Sequence, residues 1–272
     1  MYRAGAYFAL FVVLLVCISC SGEGDKLVKF HPDGSKMLEV GVKNGKPEGR
    51  QINYFPNGKV SGISYYKNGK LNGEAIGYYE NGKIETSINY VDGLMDGLTR
   101  YYYENGTIEQ EAAFTKDHFQ GWVKFYNKNG QLSAKHEYFS QDGKEWLNQR
   151  IHYDEYGKIM KDSSNYITLT SIYDTIQLNE KYQLSVKLET PMSGGSKMEV
   201  HFEGFDNDYK LIQGFVPETV KAAAFVAKIA IEPEKKGENI IRGRVVNYKL
   251  EGDSTWEKLE KHIYFTKKYY VE

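Results

Sequence analysis

The chain has 272 residues, and its 35 basic and 36 acidic side chains give a net charge of −1. This balance, without a basic patch, argues against nucleic acid as a partner. The 27 glycines and 23 tyrosines, with only 6 prolines, favour a β protein.

The N-terminus has the pattern of an export signal. Arg3 precedes an apolar run from Ala4 to Ile18, which is short for a membrane span and suits a signal-peptide core. The stretch before Cys20 resembles a bacterial lipobox, although Cys17 stands where leucine is usual. The resemblance implies a lipoprotein signal peptide at 1–19, cleaved before Cys20, with lipidation of the Cys20 thiol. An uncleaved anchor helix and an ordinary secretory signal are the alternatives.

Cys17 and Cys20 are the only cysteines. Their Cys-x-x-Cys spacing is a poor candidate for a redox or zinc site, because the pair lies in an apolar leader. If cleavage occurs, the mature chain has no disulfide and no cysteine nucleophile. His-Glu-x-x-His and Gly-x-Ser-x-Gly motifs are absent from the sequence. We therefore expect no metal, no cofactor and no catalytic residue, and we predict that the protein is not an enzyme.

Glycines recur at a near-fixed interval after this leader. Gly34, Gly58, Gly82, Gly106 and Gly130 lie 24 residues apart, and Gly157 follows after 27. A fixed period in this range is typical of repeat proteins, in which each unit packs on its neighbours. We predict that these six glycines are structural turns. A short segment, 20–29, is assigned to a linker before the repeats, which span 30–161.

A second set of turns divides each unit. Asn44-Gly45, Asn68-Gly69 and Asp92-Gly93 lie 11 residues after the first turns, Lys116-Asp117 takes the fourth place, and Asp142-Gly143 comes 13 residues on. Asn-Gly and Asp-Gly favour hairpins, because a type I′ turn needs positive φ at both central residues. The pattern predicts strands of about seven or eight residues.

Aromatic residues form columns through the units. One column contains Tyr54, Tyr78, Tyr102 and Tyr126, and another contains Tyr66, Tyr90, Phe114 and Tyr138. A single-layer sheet exposes both faces, and tyrosine supplies an apolar ring with a hydroxyl that stays in water. The tyrosines of both columns are a candidate binding face, and structural cladding is the alternative.

The repeat resembles a known family. Tyr65-Tyr66-Lys67-Asn68-Gly69-Lys70, with Gly73 four residues after the turn glycine, is similar to the MORN repeat, and more closely to the bacterial MORN variant labelled as a YwqK-type antitoxin. The resemblance implies an elongated, single-layer antiparallel sheet of hairpins that acts as a scaffold or contact surface. It brings no catalytic residues. The antitoxin label implies a cytosolic toxin as partner, and the apolar leader argues against that location.

The period ends after Ser164, and residues 163–272 are predicted to form a second domain. Its predicted strands are Tyr166–Tyr173, Asp174–Leu178, Tyr182–Leu188, Met198–Phe202, Tyr209–Val216, a strand that begins at Ala224, Ile240–Lys249 and Lys261–Val271. Glu234–Asn239 is predicted to be a hairpin connection. This layout suggests a β-sandwich of immunoglobulin-like type without the cysteine pair.

The sequence therefore predicts an all-β lipoprotein of the cell envelope, at the periplasmic or surface face of the outer membrane. Its expected role is binding or scaffolding, with the membrane contacted through the lipid anchor and with an unknown protein or glycan as partner. A YwqK-like antitoxin component that binds a toxin and an envelope glycan hydrolase are the two alternatives.

Overall fold

The computed structural model describes residues 17–19, 25–141, 144–192, 194–202, 218–250 and 258–272. Cys20 and nearly all of the predicted signal peptide lie outside these ranges. Within them no helix is long and apolar enough to cross a membrane. The chain divides into two compact units, one ending at Glu109 with Phe114–Asp117 added, the other holding Gln110–Ala113 and His118–Glu272.

The repeats form one long sheet of hairpins. Its strands are β1 (Cys17–Ser19), β2 (Asp25–Phe30), β3 (Lys36–Lys43), β4 (Lys46–Tyr54), β5 (Val60–Lys67), β6 (Lys70–Leu71), β7 (Gly73–Tyr78), β8 (Ile84–Val91), β9 (Leu94–Met95), β10 (Gly97–Tyr102), β11 (Ile108–Thr115), β12 (His118–Tyr126), β13 (Leu132–Gln141) and β14 (Lys144–His152). They are neighbours in chain order, with short β6 and β9 beside β5 and β8. The predicted all-β chain with a long antiparallel hairpin sheet is confirmed. Strand β2 begins within the segment that was assigned to a linker.

The two sets of turns have different geometry. Both central residues have positive φ in the turns at Asn44-Gly45, Asn68-Gly69, Asp92-Gly93 and Lys116-Asp117, as a type I′ turn requires. In the turns at Gly34, Gly58, Gly82, Gly106, Gly130 and Gly157, only the glycine has positive φ. In the first five of these turns the polar residue before the glycine caps the turn, as in Asn57, whose Oδ1 accepts the Lys59 N–H at 3.0 Å. At Gly157 the cap is Asp154, whose Oδ1 accepts the Lys158 N–H at 2.9 Å. The same Asn-Gly pair therefore adopts two turn types.

Backbone hydrogen bonds link three of the four type I′ turns to the preceding repeat. The N–H of Gly69 donates to the Pro47 carbonyl at 2.9 Å, and the N–H of Gly93 donates to the Leu71 carbonyl at 2.8 Å. The N–H of Asp117 donates to the Met95 carbonyl in the same way. These three turns are therefore part of the contact between repeats.

The C-terminal residues form two further sheets. Their strands are β15 (Ile167–Ser171), β16 (Thr175–Ile176), β17 (Tyr182–Leu188), β18 (Lys197–Phe202), β19 (Glu218–Lys221), β20 (Val226–Ile231), β21 (Gly237–Leu250) and β22 (Lys258–Val271), and a short 3-10 helix spans Lys161–Ser163. The orders are β15-β17-β20 and β16-β22-β21-β18-β19. Both sheets contribute to one core cluster, in which Tyr182 of β17 stacks on Tyr269 of β22 with ring centroids 4.1 Å apart.

Three predicted features of this region differ from the structure. The strand predicted from Ala224 begins at Val226, because Ala224 and Phe225 occupy a two-residue turn with positive φ. The segment predicted as a hairpin connection, Glu234–Asn239, instead joins two strands that lie in different sheets. Strand β19 was not predicted, and Tyr209–Val216 lies outside the described residues.

Polar side chains link the last hairpin of the repeats to this core within the second unit. Glu137 of β13 accepts hydrogen bonds from the side-chain amides of Asn148 and Gln149 at 2.7 and 2.6 Å. The Gln149 Oε1 then accepts the N–H of Ile167 in β15 at 2.9 Å. Burial raises the pKa of Glu137, while the two amide donors act in the opposite direction.

Candidate binding face of the repeat sheet

Strand register separates the side chains of the first unit into two faces. Residues directly opposite on antiparallel strands point to the same side, and neighbours along a strand alternate. Tyr66 pairs with Gly49, Gly77 pairs with Thr86, and Thr86 also pairs with Tyr101, so these positions share one face. From Leu38 onward, the strand positions of β3 to β10 on this face are Leu38, Val40, Val42, Pro47, Gly49, Gln51, Asn53, Gly62, Ser64, Tyr66, Leu71, Gly73, Ala75, Gly77, Thr86, Ile88, Tyr90, Met95, Gly97, Thr99 and Tyr101.

None of these strand positions, all in the described part of the first unit, carries a charged side chain, and we call their surface the uncharged face. From Leu38 onward, the charged residues of the same strands alternate with them and lie on the other side, which we call the charged face: Glu39, Lys43, Lys46, Glu48, Arg50, Lys67, Lys70, Glu74, Glu85 and Arg100. The repeat therefore sorts its side chains by charge between two faces.

Side chains on the charged face pair with one another. The Tyr54 hydroxyl donates to Glu39 Oε1 at 2.8 Å, and the Lys36 ammonium lies 3.0 Å from Glu39 Oε2. The hydrogen bonds from Lys36 and Tyr54 lower the pKa of Glu39. The same ammonium lies 5.5 Å from the centre of the Tyr54 ring, within cation–π range. The hydroxyl and the ring of Tyr54 are thus both engaged in contacts within the repeat.

The tyrosines of the uncharged face have a different environment. Tyr66, Tyr90 and Tyr101 are half-buried, and burial raises the pKa of all three phenols. For Tyr90 the nearness of Tyr101, Asp117 and Tyr66 adds to this effect. No other residue in the described ranges hydrogen-bonds any of the three hydroxyls. Three half-buried rings therefore stand among strand positions without charge, and the Asp117 carboxylate of the neighbouring turn lies near Tyr90.

Small residues form the floor between these rings. Ser64 is 7% exposed and Thr99 is 1% exposed, although the sheet is a single layer at this point. A Cβ at Gly77 would lie 2.6 Å from Thr86 Oγ1, so the strand can approach its neighbour only without a side chain there. The buried Thr99 Oγ1 has no hydrogen-bond partner among the described residues. The floor is thus close-packed and hydroxyl-bearing.

The seven tyrosines of the predicted binding face do not share a face. In the first unit, Tyr54, Tyr78 and Tyr102 lie on the charged face, whereas Tyr66 and Tyr90 lie on the uncharged face. In the second unit, Val123 pairs with His136, so these two side chains lie on one face. Tyr138 lies two residues after His136 and shares that face. Tyr126 lies three residues after Val123 and is therefore on the opposite face. Sequence reasoning missed Tyr101, because the position 24 residues earlier is Gly77 and no column marks it.

The second unit contains a histidine pair on β13 and β14. The Nε2 atoms of His136 and His152 are 3.2 Å apart, and their rings are stacked. Burial, the neighbouring His152 and Arg150 lower the pKa of His136 to about 4, so this ring is neutral near pH 7. The two rings therefore share one hydrogen bond. No group of three or more His, Cys, Asp or Glu side chains that could hold a metal ion occurs within the described ranges.

An open cleft of about 320 Å³ lies beside β18 in the second unit. Lys197, Lys221, Phe225 and Tyr248 line it, and Glu199 is the one carboxylate among its described lining residues. The Tyr248 hydroxyl donates to Glu199 Oε1 at 3.1 Å. A pair of carboxylates, which glycoside hydrolysis generally requires, is not found among the residues that line this cleft.

Comparison with known families agrees with this description of the repeats. The MORN repeat variant family matches residues 47–68, 71–92 and 95–117. The first two matched stretches lie within the region of the two faces defined above, and the third begins there. No curated protein matches the chain. The chain is therefore similar to MORN repeat variants over three units, which supports a repeat-based binding or scaffold module.

Proposed function

We propose that this protein is a cell-envelope lipoprotein that binds or scaffolds a ligand through the uncharged face of its repeat sheet. The observation that carries the proposal is the group formed by Tyr66, Tyr90 and Tyr101 on one face, three half-buried rings whose hydroxyls have no hydrogen-bond partner in the described part of the chain. Tyrosine combines a large contact area with a polar tip and little conformational freedom to lose, which favours its use in binding surfaces.

The charge distribution supports binding over catalysis at this surface. Catalysis by general acid and base needs titratable groups that face the reacting atoms. The strand positions of the uncharged face offer hydroxyls, amides and apolar groups, and the carboxylates of the same described strands lie on the opposite side. These groups can orient a ligand, but they do not supply a proton donor and acceptor with pKa values suited to hydrolysis.

The proposed membrane anchor depends on the sequence before residue 25. Lipidation of Cys20 predicts that a Cys20→Ser variant is lost from the membrane fraction, whereas Cys17→Ser, which removes a cysteine of the cleaved leader, stays there. An uncleaved anchor helix would keep both variants in the membrane. Retention of Cys20→Ser in the membrane would therefore contradict the proposed lipoprotein.

The strand order of the second unit supports an immunoglobulin-like assignment for its sandwich. Such folds place strands A, B and E in one sheet and strands C, F and G in the other, with C′ beside C in the variable type. The order β15-β17-β20, and the order β22-β21-β18-β19 to which the two-residue strand β16 adds an edge beside β22, correspond to this arrangement in chain order. We propose that this domain is an accessory module, because fold alone does not assign a ligand.

Footprinting tests the proposed binding face directly. The full-length protein in detergent is exposed to hydroxyl radicals with and without an extract of Gram-negative envelopes, and oxidation is read at each tyrosine by mass spectrometry. Tyr66 and Tyr90 should be protected, whereas Tyr65, which is 45% exposed and lies on the charged face, serves as the matched control. Equal protection at Tyr65 and Tyr66, or no protection at all, would contradict the proposal.

A further inference from the structure

We infer that the ligand of the uncharged face is a neutral glycan chain, an inference that rests on the proposed function and specifies the class of its ligand. Across β3 to β10, the described strand positions of this face from Leu38 to Tyr101 bear no cation and no anion. Protein-binding surfaces are enriched in arginine as well as in aromatic residues, and charged ligands need a charged counterpart. Strand positions without arginine or any other charge favour a ligand without charge, and the nearby Asp117 carboxylate already accepts the Met95 N–H.

The hydrogen-bonding groups of this face match a polyhydroxylated ligand. Hydroxyls donate and accept. The side-chain amides of Gln51 and Asn53 on the same face hydrogen-bond each other at 3.0 Å, which leaves Asn53 Nδ2 as the donor nearer the surface, since Gln51 is buried. The hydroxyls of Tyr66, Tyr90 and Tyr101 have no partner in the described part of the chain, so they are available to sugar hydroxyls. The rings below these hydroxyls present flat apolar surfaces to the C–H groups of a sugar ring. Each tyrosine can therefore contact both kinds of surface that a sugar presents.

The spacing of the rings suits a repeating polymer. Tyr66 lies on β5 and Tyr90 on β8, and β7 is the one main strand between them in the sheet. Two strand spacings correspond to about 9–10 Å, since neighbouring strands lie roughly 4.8 Å apart. This distance is comparable to a disaccharide step in an extended β-linked chain. Tyr66 and Tyr90 would thus contact two successive disaccharides.

The inferred interaction is binding without cleavage. Glycosidases use two carboxyl groups that flank the scissile bond. On the described strands β4, β7 and β8, carboxylates such as Glu48, Glu74 and Glu85 belong to the charged face, on the far side of the sheet from Tyr66 and Tyr90. A chain bound across the uncharged face would meet no such pair.

The test measures binding of the full-length protein in detergent to defined probes by calorimetry. The neutral probes are chitohexaose, cellohexaose and maltohexaose, the charged probe is hexagalacturonic acid, and a proline-rich decapeptide represents an extended protein segment. At least one neutral hexasaccharide should bind. Its affinity should fall at least tenfold in Tyr90→Ala and less in Tyr90→Phe, which keeps the ring, and it should be unchanged in Tyr65→Ala. Circular dichroism of each variant shows that the sheet is retained.

Two sets of outcomes would overturn the inference. The first is failure of all three neutral hexasaccharides to bind, or tighter binding of the charged probe or the peptide. The second is an equal loss of affinity in Tyr65→Ala and Tyr90→Ala. The same hexasaccharides are also added as competitors to the extract footprint. If none of them displaces the footprint, the inference of a glycan ligand is contradicted but the proposed binding face is not. If no footprint is seen at all, the proposed binding face itself is contradicted.

Discussion

The side-chain amide of Asn148 hydrogen-bonds both backbone polar groups of Tyr264, as the backbone of a neighbouring strand would. Its Nδ2 donates to the Tyr264 carbonyl and its Oδ1 accepts the Tyr264 N–H, each at 2.8 Å. Asn148 is 4% exposed and is the extra residue where the register of β13 and β14 shifts. The bulge lets its amide reach both Glu137 and a strand that lies 116 residues further along the chain.

Replacement of Asn148 by alanine should therefore be strongly destabilising. It leaves the backbone N–H and carbonyl of Tyr264 without their partners in a buried place, at a cost of about 2–3 kcal/mol. The change is measured as the free energy of unfolding in urea. Gln183→Ala, at an exposed position of β17, is the control and should change stability by less than about 0.5 kcal/mol. Equal stability of the two variants would show that the amide contributes nothing.

Glu137 should give the stability a pH dependence that Glu137→Gln removes. Burial raises its pKa in the folded state above the unfolded value of about 4.3. As the pH rises through the pKa that Glu137 has in the unfolded chain, the unfolded chain releases this proton first. The free energy of unfolding therefore falls until the pH passes the pKa of Glu137 in the folded state. At lower pH both states hold the proton and no difference arises. The glutamine variant keeps an oxygen that can accept from the two amides and carries no charge.

The measurement is the free energy of unfolding of both proteins between pH 4 and pH 7. The stability of Glu137→Gln relative to the wild type should increase with pH over this window. A difference that stays constant with pH would mean that burial does not shift this carboxyl.

The turn at Lys116-Asp117 offers a stabilising change. Lys116 has a φ of 50° and Asn68 has a φ of 53° at the same place in an earlier turn. Asparagine adopts this left-handed conformation more readily than lysine does. Lys116→Asn should therefore raise the free energy of unfolding by about 0.5–1 kcal/mol, and the reciprocal Asn68→Lys should lower it by a similar amount. Thermal unfolding of the two variants checks this, and shifts of the same sign would refute it.

The glycine period was sufficient to predict the hairpins, because positive φ is a local requirement that the sequence displays directly. The assignment of faces was not predictable in the same way. Tyr65 and Tyr66 are adjacent, yet the register places Tyr65 opposite Arg50 and Tyr66 opposite Gly49. The register also shifts between Asn53 and Tyr54, beside the Gly58 turn. One extra residue moves a side chain to the other face, and the 24-residue columns do not reveal it.

Polar contacts between residues distant in the chain could not be predicted from the sequence either. Asn148 and Gln149 look like ordinary polar strand residues, and their partners Tyr264 and Ile167 are distant in the chain. The contact between His136 and His152 likewise arises only from the pairing of β13 with β14. Such contacts depend on how strands pair and how the second unit folds, which no local pattern encodes.

The most direct test of the central claim compares tyrosines of the two faces in one binding assay. Tyr90→Ala and Tyr101→Ala change the uncharged face, and Tyr78→Ala changes the charged face of the same repeat region. The full-length protein is immobilised, and the assay measures how much ligand it retains from an envelope extract. Retention should fall at least tenfold for Tyr90→Ala and Tyr101→Ala and stay at the wild-type level for Tyr78→Ala. Equal retention by all three folded variants, or a loss confined to Tyr78→Ala, would contradict the account.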